Sequence, residues 1–236
     1  MLINTTYRST ATEIMDDFQM EGEILRDALD KIANINQLLG GNKVTLQGVK
    51  TLIKGQPKTA RIRIMDIGCG NGDMLRTLAD YAEKMNLNFI LTGIDANSFT
   101  VDHARKLSAA YSNINYECVD IFKQLEKPVN TDIVLCTLTL HHFKEDDIIS
   151  LLQQHRQAKL GLVINDLDRN ALAYYLFKAL CFVFGLNDMS RKDGLVSILR
   201  GFKRADLLLY SKKLDFKNYL ITWKWAFRYQ WIVKTA

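Results

Sequence analysis

An apolar run, a glycine-rich turn and a helical pattern follow one another in residues 62–82 of this chain. The β-branched residues before Asp66 are typical of a buried strand, and Leu75, Leu78 and Ala82 recur at helical spacing. Because glycine permits positive φ and carries no side chain, a ligand can approach the backbone amides of such a turn. The stretch therefore predicts a strand, a ligand-binding loop and a helix, a unit typical of parallel α/β sheets.

The spacing of the glycines separates two classes of ligand. A dinucleotide fingerprint has its third glycine three positions after the second, but Asp73 stands there. The chain has instead an acid on the strand, Asp66, followed by Gly68, Gly70 and Gly72. A carboxylate attracts an ammonium or sulfonium group and repels a pyrophosphate. The pattern favours a ligand with a cationic head over a dinucleotide, and a turn without any ligand is the alternative.

Strand and helix patterns alternate along the middle of the chain. This alternation predicts a parallel, doubly wound sheet with ligands beyond the carboxyl ends of its strands. Two later strand patterns around a turn near residues 225–227 predict an antiparallel C-terminal hairpin. The expected fold is thus α/β, Rossmann-like, with seven strands. The strand patterns cover 62–67, 88–94, 114–119, 131–138, 159–165, 219–223 and 229–233, and the helix patterns between them cover 74–85, 98–111 and 145–156.

Acidic residues follow the second and third strand patterns as well as the first. Asp95 closes the second strand, where a carboxylate can accept hydrogen bonds from both hydroxyls of a ribose. Asp120 follows the third strand, in a position to accept from the exocyclic amine of adenine, with Ile121 beside the ring. Each acid alone is typical of an ordinary strand end. Three acids at successive strand ends, together with the glycine loop, favour a nucleoside site.

Four motifs together resemble the class I methyltransferases that use S-adenosylmethionine (SAM), in the branch that contains the ubiquinone and menaquinone methyltransferases. Residues 66–72 resemble motif I, 93–96 the ribose motif, 118–121 the adenine motif and 132–143 the fourth-strand motif. The resemblance implies SAM as cofactor and S-adenosylhomocysteine (SAH) as product. It implies a site in which Asp66, Gly68, Cys69 and Gly70 hold the methionine part, Asp95 and Ala96 the ribose, Asp120 and Ile121 the adenine, while Thr137 and Leu138 line the floor near the methyl group.

Two histidines follow the fourth strand, at the edge where the cofactor is expected. A neutral imidazole there could accept the proton of a phenolic acceptor, and general bases are needed only for acceptors that carry a proton. We expect His142 rather than His141 to be the base. The alternative is a role of the pair in loop structure or cofactor contact.

Residues 167–213 carry the least generic part of the sequence. The run 171–184 is almost entirely apolar, and a helix that is hydrophobic all round is buried or faces an apolar ligand or partner. In the resembled family, insertions between the fifth and sixth strands form the substrate lid, which implies an apolar acceptor contacted by Tyr174, Tyr175 and Arg191. A dimer contact is the alternative use of this surface.

This stretch, with residues 8–10, 15–17 and 38–41, resembles a bacterial methyltransferase group associated with aromatic polyketide or phenolic pathways. That resemblance implies a phenol or hydroxyquinone as acceptor and an O-methyl ether as product.

Helical patterns also precede the first strand. Residues 9–39 predict two helices divided at Gly22, and residues 44–53 predict a third. We expect a helical cap at 1–58 and a SAM-binding methyltransferase domain at 59–236, with 167–213 as a helical lid insertion. A simple packing extension is the alternative reading of the N-terminal helices.

Composition limits the remaining possibilities. The chain has 236 residues, of which 48% are hydrophobic and 24% charged, as in a single globular domain with elaborations. No apolar run is long enough to span a bilayer and no leader pattern begins the chain, so a cytoplasmic protein is expected. The four cysteines are scattered singly, which favours reduced, buried thiols over disulfides or a metal site; no metal is expected.

The net charge of +5 leaves a nucleic-acid partner as an alternative. Residues 200–236 hold nine Lys or Arg against two Asp, but these are interleaved with strand-forming aromatics. The fourth strand also lacks the Asn/Asp-Pro-Pro-aromatic signature of exocyclic-amine methylation. A small-molecule methyltransferase, monomeric or homodimeric, is the leading expectation. The alternatives are an RNA or protein methyltransferase, or a partner subunit that binds SAM without catalysis.

Overall fold

Seven strands form one mixed sheet in the computed structural model, which describes residues 3–123 and 130–235. The order is β3-β2-β1-β4-β5-β7-β6. Neighbouring strands are parallel from β3 to β5, and β7 runs antiparallel to both β5 and β6. The structure thus confirms the expected doubly wound fold with its C-terminal hairpin. The strands are β1 (Arg61–Ile67), β2 (Asn88–Asp95), β3 (Ile114–Cys118), β4 (Ile133–Thr137), β5 (Gly161–Leu167), β6 (Tyr219–Lys224) and β7 (Arg228–Lys234).

Helices cover both faces of the sheet. One face packs against apolar residues of α2, α3 and α4, the other against those of α5 and α8. The remaining helices, α1, α6 and α7, pack on one another beside the carboxyl ends of the strands. The helices are α1 (Glu23–Leu38), α2 (Gly41–Leu52), α3 (Asp73–Met85), α4 (Ser98–Leu107), α5 (Glu145–His155), α6 (Ala171–Val183), α7 (Asp188–Arg200) and α8 (Arg204–Lys213).

The first predicted helix is not formed. Before α1 the chain has a single 3-10 turn at Ile14–Asp16, and Gly22 adopts a positive φ of 95° that separates this segment from α1. The backbone amides of Ile14 and Met15 donate to the Asp193 carboxylate of α7, at 2.8 and 2.9 Å. Tertiary hydrogen bonds therefore hold this segment where local periodicity predicted a helix.

Helix α7 follows the apolar run of α6 within residues 167–213. Asn187 caps α7 by accepting from the Ser190 amide at 2.8 Å, a signal that the periodicity analysis missed. A Cβ at Gly194 would lie 2.3 Å from the Phe177 ring of α6. Close packing of α7 on α6 therefore needs glycine at this position.

The apolar run of α6 is buried on one face only, and a ligand or partner for its exposed face stays a prediction. Ala173 and Cys181 are buried, but Phe182 and Val183 are 82% and 80% exposed. The expectation of four buried thiols fails at one position, because Cys118 is exposed on the edge strand β3. Within the described residues, no helix is long and apolar enough to cross a membrane.

Candidate active site

A cavity of about 960 Å³ lies at the carboxyl ends of β1, β2 and β4. This is the switch point of the sheet, because the chain proceeds from β1 to one side and returns to the other. The strand-end loops form its floor, and residues of α1, α6, α7 and the segment 8–18 form its walls. All ten residues expected to bind the cofactor line this cavity, as do both histidines.

The glycine loop is shaped for close approach. Gly68 has a φ of 67°, and a Cβ there would lie 2.3 Å from the Thr139 side chain, so the loop packs directly on the segment after β4. Gly70 has a φ of 53°, and a Cβ there would project into open space, with Leu29 as its nearest neighbour at 3.9 Å. The absence of side chains thus leaves room for a ligand against the backbone.

Asp66 is a buried carboxylate with unused hydrogen-bonding capacity. Its Oδ1 has no partner among the described residues. Burial, together with the nearby charges of Asp73 and Asp95, raises the pKa of Asp66 well above its usual range. The ionised form of Asp66 is unfavourable in this buried position, so a cationic group beside it would stabilise that form. The ammonium and sulfonium groups of SAM are cations of this kind.

Asp95 ties the loops of β1 and β2 together. Its two oxygens accept from the amides of Gly70 and Asn97, at 3.1 and 3.0 Å. Each carboxylate oxygen has further acceptor capacity, so the group can still receive hydroxyl donors. Asp120 is more open: it pairs with Lys123 at 3.1 Å and accepts from the Phe122 amide.

The end of β4 adds a hydroxyl and an unusual backbone turn to the floor. Thr137 Oγ1 lies 3.0 Å from Thr45 Oγ1 of α2. Leu138 adopts a φ of 55°, which is uncommon for a residue with a side chain, while its amide donates to Asn165 O at 2.9 Å. The chain therefore turns sharply at this point, directly before the two histidines.

Each of the two histidines forms a hydrogen bond with a different carboxylate. His141 is 2% exposed, and its Nδ1 lies 2.7 Å from Asp166 Oδ1 at the end of β5. His142 has a side chain 27% exposed, and its Nδ1 lies 2.7 Å from Asp16 Oδ1. Burial alone would raise the pKa of Asp16, but hydrogen bonds with His142 and Arg200 outweigh it and lower that pKa. Asp16 therefore stays ionised beside the imidazole.

Arg200 and Glu13 complete a charged cluster around the two imidazoles. Arg200 Nη1 donates to Asp16 Oδ2 at 2.7 Å and lies 3.6 Å from Glu13 Oε1. Its Nε donates to the carbonyl of His141, and its Nη2 to that of His142. Burial raises the pKa of Glu13, against the lowering effects of His142 and Ser197. The guanidinium therefore fixes both the histidine backbone and the acids that face it.

Donor atoms of Glu13, His141 and His142 lie within 4.8 Å of one another, as in a three-ligand metal site. Arg200 already supplies a positive charge to Glu13 and Asp16. A divalent cation would have to bind beside this guanidinium, which is unfavourable. Glu13, Asp16 and Arg200 are therefore better suited to orienting the two histidines than to binding a metal ion.

The three residues expected to contact substrate do not line the cavity. Tyr174 and Tyr175 form an edge-to-face ring pair, and Arg191 approaches Asp188 at 3.8 Å on α7. The helical period instead directs their neighbours Leu176, Phe177 and Leu180 inward. The substrate roles of the two tyrosines and Arg191 stay predictions, and their positions do not support them.

Sequence reasoning missed most of the charged cluster. Asp166 could have been found, because it ends a strand just as Asp66 and Asp95 do. Glu13 and Arg200 carry no local signal, since their neighbours in sequence are not part of any motif. Their roles arise from contacts across 184 or more positions of the chain, such as Ser197 Oγ donating to Glu13 and Arg200 donating to Asp16.

A family model described as "Methyltransferase domain" matches residues 64–158. Among curated proteins, "Ribosomal RNA large subunit methyltransferase G" of Shewanella putrefaciens is 25% identical over 156 residues, 62% of this chain and 39% of the relative. "Ubiquinone biosynthesis O-methyltransferase" of Coxiella burnetii is 31% identical over 80 residues, 34% of this chain and 32% of the relative. The chain thus matches well under half the length of either relative.

Solved structures with the same fold cover most of the chain. The plantazolicin methyltransferase BpumL in complex with SAH has a TM-score of 0.65 at 16% identity and covers 90% of this chain and 96% of its own. Magnesium protoporphyrin IX methyltransferase from Synechocystis with bound SAM has a TM-score of 0.55 at 14% identity, covering 93% of this chain and 89% of its own. At these identities the likeness shows the fold.

Residues 64–158 therefore match a methyltransferase domain, and they lie in a sheet that shares its fold with solved methyltransferase structures. SAM is the methyl donor of this class of domain, as the SAH- and SAM-bound structures illustrate. The expectations of a methyltransferase and of SAM as its cofactor are confirmed at this level.

Proposed function

We propose that this protein transfers a methyl group from SAM to the hydroxyl oxygen of a small, apolar aromatic acceptor, a phenol or hydroxyquinone. One observation carries the proposal: His142, oriented by Asp16 at 2.7 Å, faces a cavity whose other walls are largely apolar. An oxygen acceptor must lose its proton during methylation, and a neutral imidazole can accept it. The Coxiella O-methyltransferase match is consistent with such chemistry.

Asp16 orients the imidazole for this role. A carboxylate on Nδ1 keeps a proton on that nitrogen, so Nε2 is the atom that can accept a proton from the acceptor. When that proton arrives, the ionised Asp16 stabilises the imidazolium. The deeper His141 is held by Asp166, with its Nε2 3.9 Å from the buried Glu13 Oε1. We assign His141 to positioning, because it is almost fully enclosed.

The proposed cofactor contacts follow from the cavity floor. SAM, when bound, supplies an electrophilic methyl group on a sulfonium, so little covalent catalysis is needed. Asp66 attracts the cationic methionine end, Gly68, Cys69 and Gly70 present bare backbone to it, and Asp95 with Ala96 receives the ribose. Asp120 and Ile121 lie at the adenine end, while Thr137 and Leu138 underlie the methyl position.

The segment before α1 forms part of the cavity wall. Arg8 Nη2 donates to the carbonyls of His141 and Phe143, each at 3.0 Å. Asp193 of α7 holds the amides at 14 and 15. We propose that residues 1–58 act as a cap and 167–213 as a lid. By excluding water, they would strengthen the electrostatic contacts within the site.

RNA methylation is the second candidate, because the Shewanella relative is a ribosomal RNA methyltransferase. The cavity disfavours it. Apolar side chains of α1 and α6, such as Leu29, Phe177 and Leu180, line the walls, whereas RNA sites present cations and stacking rings along an open groove.

Incubation of the purified protein with methyl-labelled SAM and a panel of phenols, hydroxyquinones, fatty acids and RNA tests the proposal. We expect label to appear in a phenolic or hydroxyquinone product as an ether. Label in RNA alone, or on carbon or nitrogen of the small molecules, would contradict it. His142→Ala in the same assay separates catalysed transfer from background alkylation.

A further inference from the structure

A buried arginine in the cavity wall forms no ion pair with any described residue. Arg228, the first residue of β7, is 3% exposed and lines the cavity. Its Nη1 donates to Asn36 Oδ1 of α1 at 2.7 Å, and its Nε has no partner among the described residues. Buried charges are normally paired because removal from water is costly. The guanidinium therefore has an unused donor at Nε and no ion-pair partner among the described residues; Asp166 is the one carboxylate whose charge acts on it.

The other two buried arginines show the usual arrangement. Arg169 pairs with Asp206 at 3.0 Å, and Arg200 pairs with Asp16 at 2.7 Å. No carboxylate in the described parts of the chain forms an ion pair with Arg228, whose one polar partner is a neutral amide. Among the buried arginines of the described residues, the lack of an ion pair is thus specific to Arg228.

A helix amino end beside Arg228 makes the electrostatic potential around its guanidinium more positive. The amino end of α2 lies against it, since a Cβ at Gly41 would be 2.1 Å from Arg228 Nη1. A helix amino end carries partial positive charge and favours an anion. Burial lowers the pKa of Arg228 to about 10, against the raising effect of the Asp166 charge, so the group is still charged at neutral pH.

The walls beside this group are apolar. Leu39, directly after α1, and Phe177 and Leu180 of α6 pack against one apolar cluster, and all three line the cavity. On the sheet, β7 lies three strands from β1, a distance of about 14 Å from the strand that carries Asp66. Arg228 therefore lies on the side of the cavity away from the nucleoside floor.

We propose that Arg228 and Asn36 form a binding subsite for a carboxylate or similar delocalised oxyanion on a ligand with an apolar body. A planar guanidinium fits such a group, because its donors match two oxygens. This position beyond β5 favours the acceptor as the source of the anion. The methionine carboxylate of the cofactor is the other source with the same chemistry. The proposal refines the acceptor class of the function proposed above, and so rests on it for the ligand's identity.

Binding measurements test the subsite without methyl transfer. The probes are dodecanoate against neutral dodecanol, titrated calorimetrically into protein saturated with SAH, and SAH against its decarboxylated analogue. The variants are Arg228→Gln and Asn36→Asp, the second of which supplies an internal carboxylate to the guanidinium. Arg61→Gln is the control, because Arg61 is exposed at the opposite end of β1 and also begins a strand.

If the acceptor supplies the anion, wild type binds dodecanoate at least tenfold more tightly than dodecanol. Both variants then lose that preference, while their SAH affinity stays within twofold of wild type. If the cofactor supplies it, both variants weaken SAH about tenfold and leave the decarboxylated analogue unchanged. Arg61→Gln behaves as wild type in either case.

Folded variants that bind dodecanoate and SAH as wild type does would overturn the subsite. Thermal unfolding checks the fold of both variants. Asn36→Asp keeps the test decisive where Arg228→Gln does not fold, because it leaves the guanidinium in place and loses only the hydrogen bond that Asn36 Nδ2 donates to Asn42 Oδ1. Failure of the proposed function is distinguishable, because a protein without methyl transfer activity can still bind SAH and show the carboxylate preference.

Discussion

Asp16 Oδ1 lies 2.7 Å from Nδ1 of His142, although the two residues are 126 positions apart in the chain. The same carboxylate accepts from Arg200 through its other oxygen at 2.7 Å. One acid thus joins the N-terminal segment, the loop after β4 and the end of α7. This junction places an oriented imidazole at the wall of the cavity, and the proposed chemistry depends on it.

Replacement of His142 should remove the proposed base without removing the cofactor. We expect His142→Ala to lower turnover by about 10²-fold or more, while SAH affinity measured by calorimetry stays within about twofold. An unchanged rate with a proton-bearing acceptor would contradict the assignment.

Replacement of Asp16 tests orientation rather than proton transfer. Asp16→Asn keeps the size of the side chain but loses the charge that holds the imidazole, so we expect turnover to fall by about tenfold. Asp17→Asn is the matched control, because Asp17 is adjacent and exposed, and among the described residues its side chain accepts only from the Gln19 amide. Equal rates for the two variants would exclude the positioning role.

Asp95 should dominate recognition of the ribose. Loss of two charge-assisted hydrogen bonds removes about 3 kcal/mol, so we expect Asp95→Ala to weaken SAH binding by about 100-fold. The exposed Asp102→Ala on α4 is the control. Because Asp95 also accepts from Gly70 and Asn97, thermal unfolding should accompany calorimetry. A folded Asp95→Ala with unchanged SAH affinity would contradict the ribose assignment.

Gly70 and Gly55 form a matched pair for the loop. Both have positive φ and open space where a Cβ would stand, but only Gly70 lines the cavity. Alanine at either position should cost about 1 kcal/mol of unfolding free energy through backbone strain. Only Gly70→Ala should also weaken SAH binding, by about tenfold or more. A similar SAH affinity for both variants would argue against a backbone contact with the ligand.

His155 should make the stability of the protein sensitive to mild acid. It is buried on α5, its Nε2 lacks a partner among the described residues, and burial lowers its pKa from 6.5 to about 4. The unfolded chain therefore binds the proton more readily, so stability is full above about pH 6.5 and falls as pH decreases toward 4. The expected loss from this residue between pH 7.5 and 5.0 is about 2 kcal/mol.

Urea unfolding at these two pH values measures that loss. His155→Leu should show a smaller decrease in unfolding free energy between them than wild type does. His103→Leu is the comparison, because His103 pairs with Asp30 at 2.8 Å rather than lying unpartnered. Equal pH dependence in wild type and His155→Leu would show that the buried imidazole is not the cause.

The cofactor end of the site was predictable because its signals are local. Asp66, the loop at 68–72, Asp95 and Asp120 each stand at a strand end, and a parallel sheet brings strand ends to one edge. The structure places all of them on one cavity. Their proposed contacts with SAM remain predictions that the binding measurements above can test.

The acceptor end was not predictable in the same way. The family resemblance implies substrate contacts for Tyr174 and Tyr175, yet the rotation of α6 turns Phe177 and Leu180 toward the cavity instead. The rotation of a helix depends on what packs against it, here Gly194 of α7 against Phe177. Composition alone cannot determine which face of an all-apolar helix is buried.

The sequence by itself determined the alternation of strands and helices, the glycine loop and the acids at the strand ends. These features depend on residue spacing within a single strand, turn or helix, where sterics and periodicity act directly. Only the tertiary structure decided that Asp16 meets His142, that Arg200 neutralises the acids around them, and that Arg228 is buried without an ion pair among the described residues. Such pairings join segments more than 100 positions apart, and the packing of the whole chain, rather than any local pattern, fixes which charges meet and which stay unpaired.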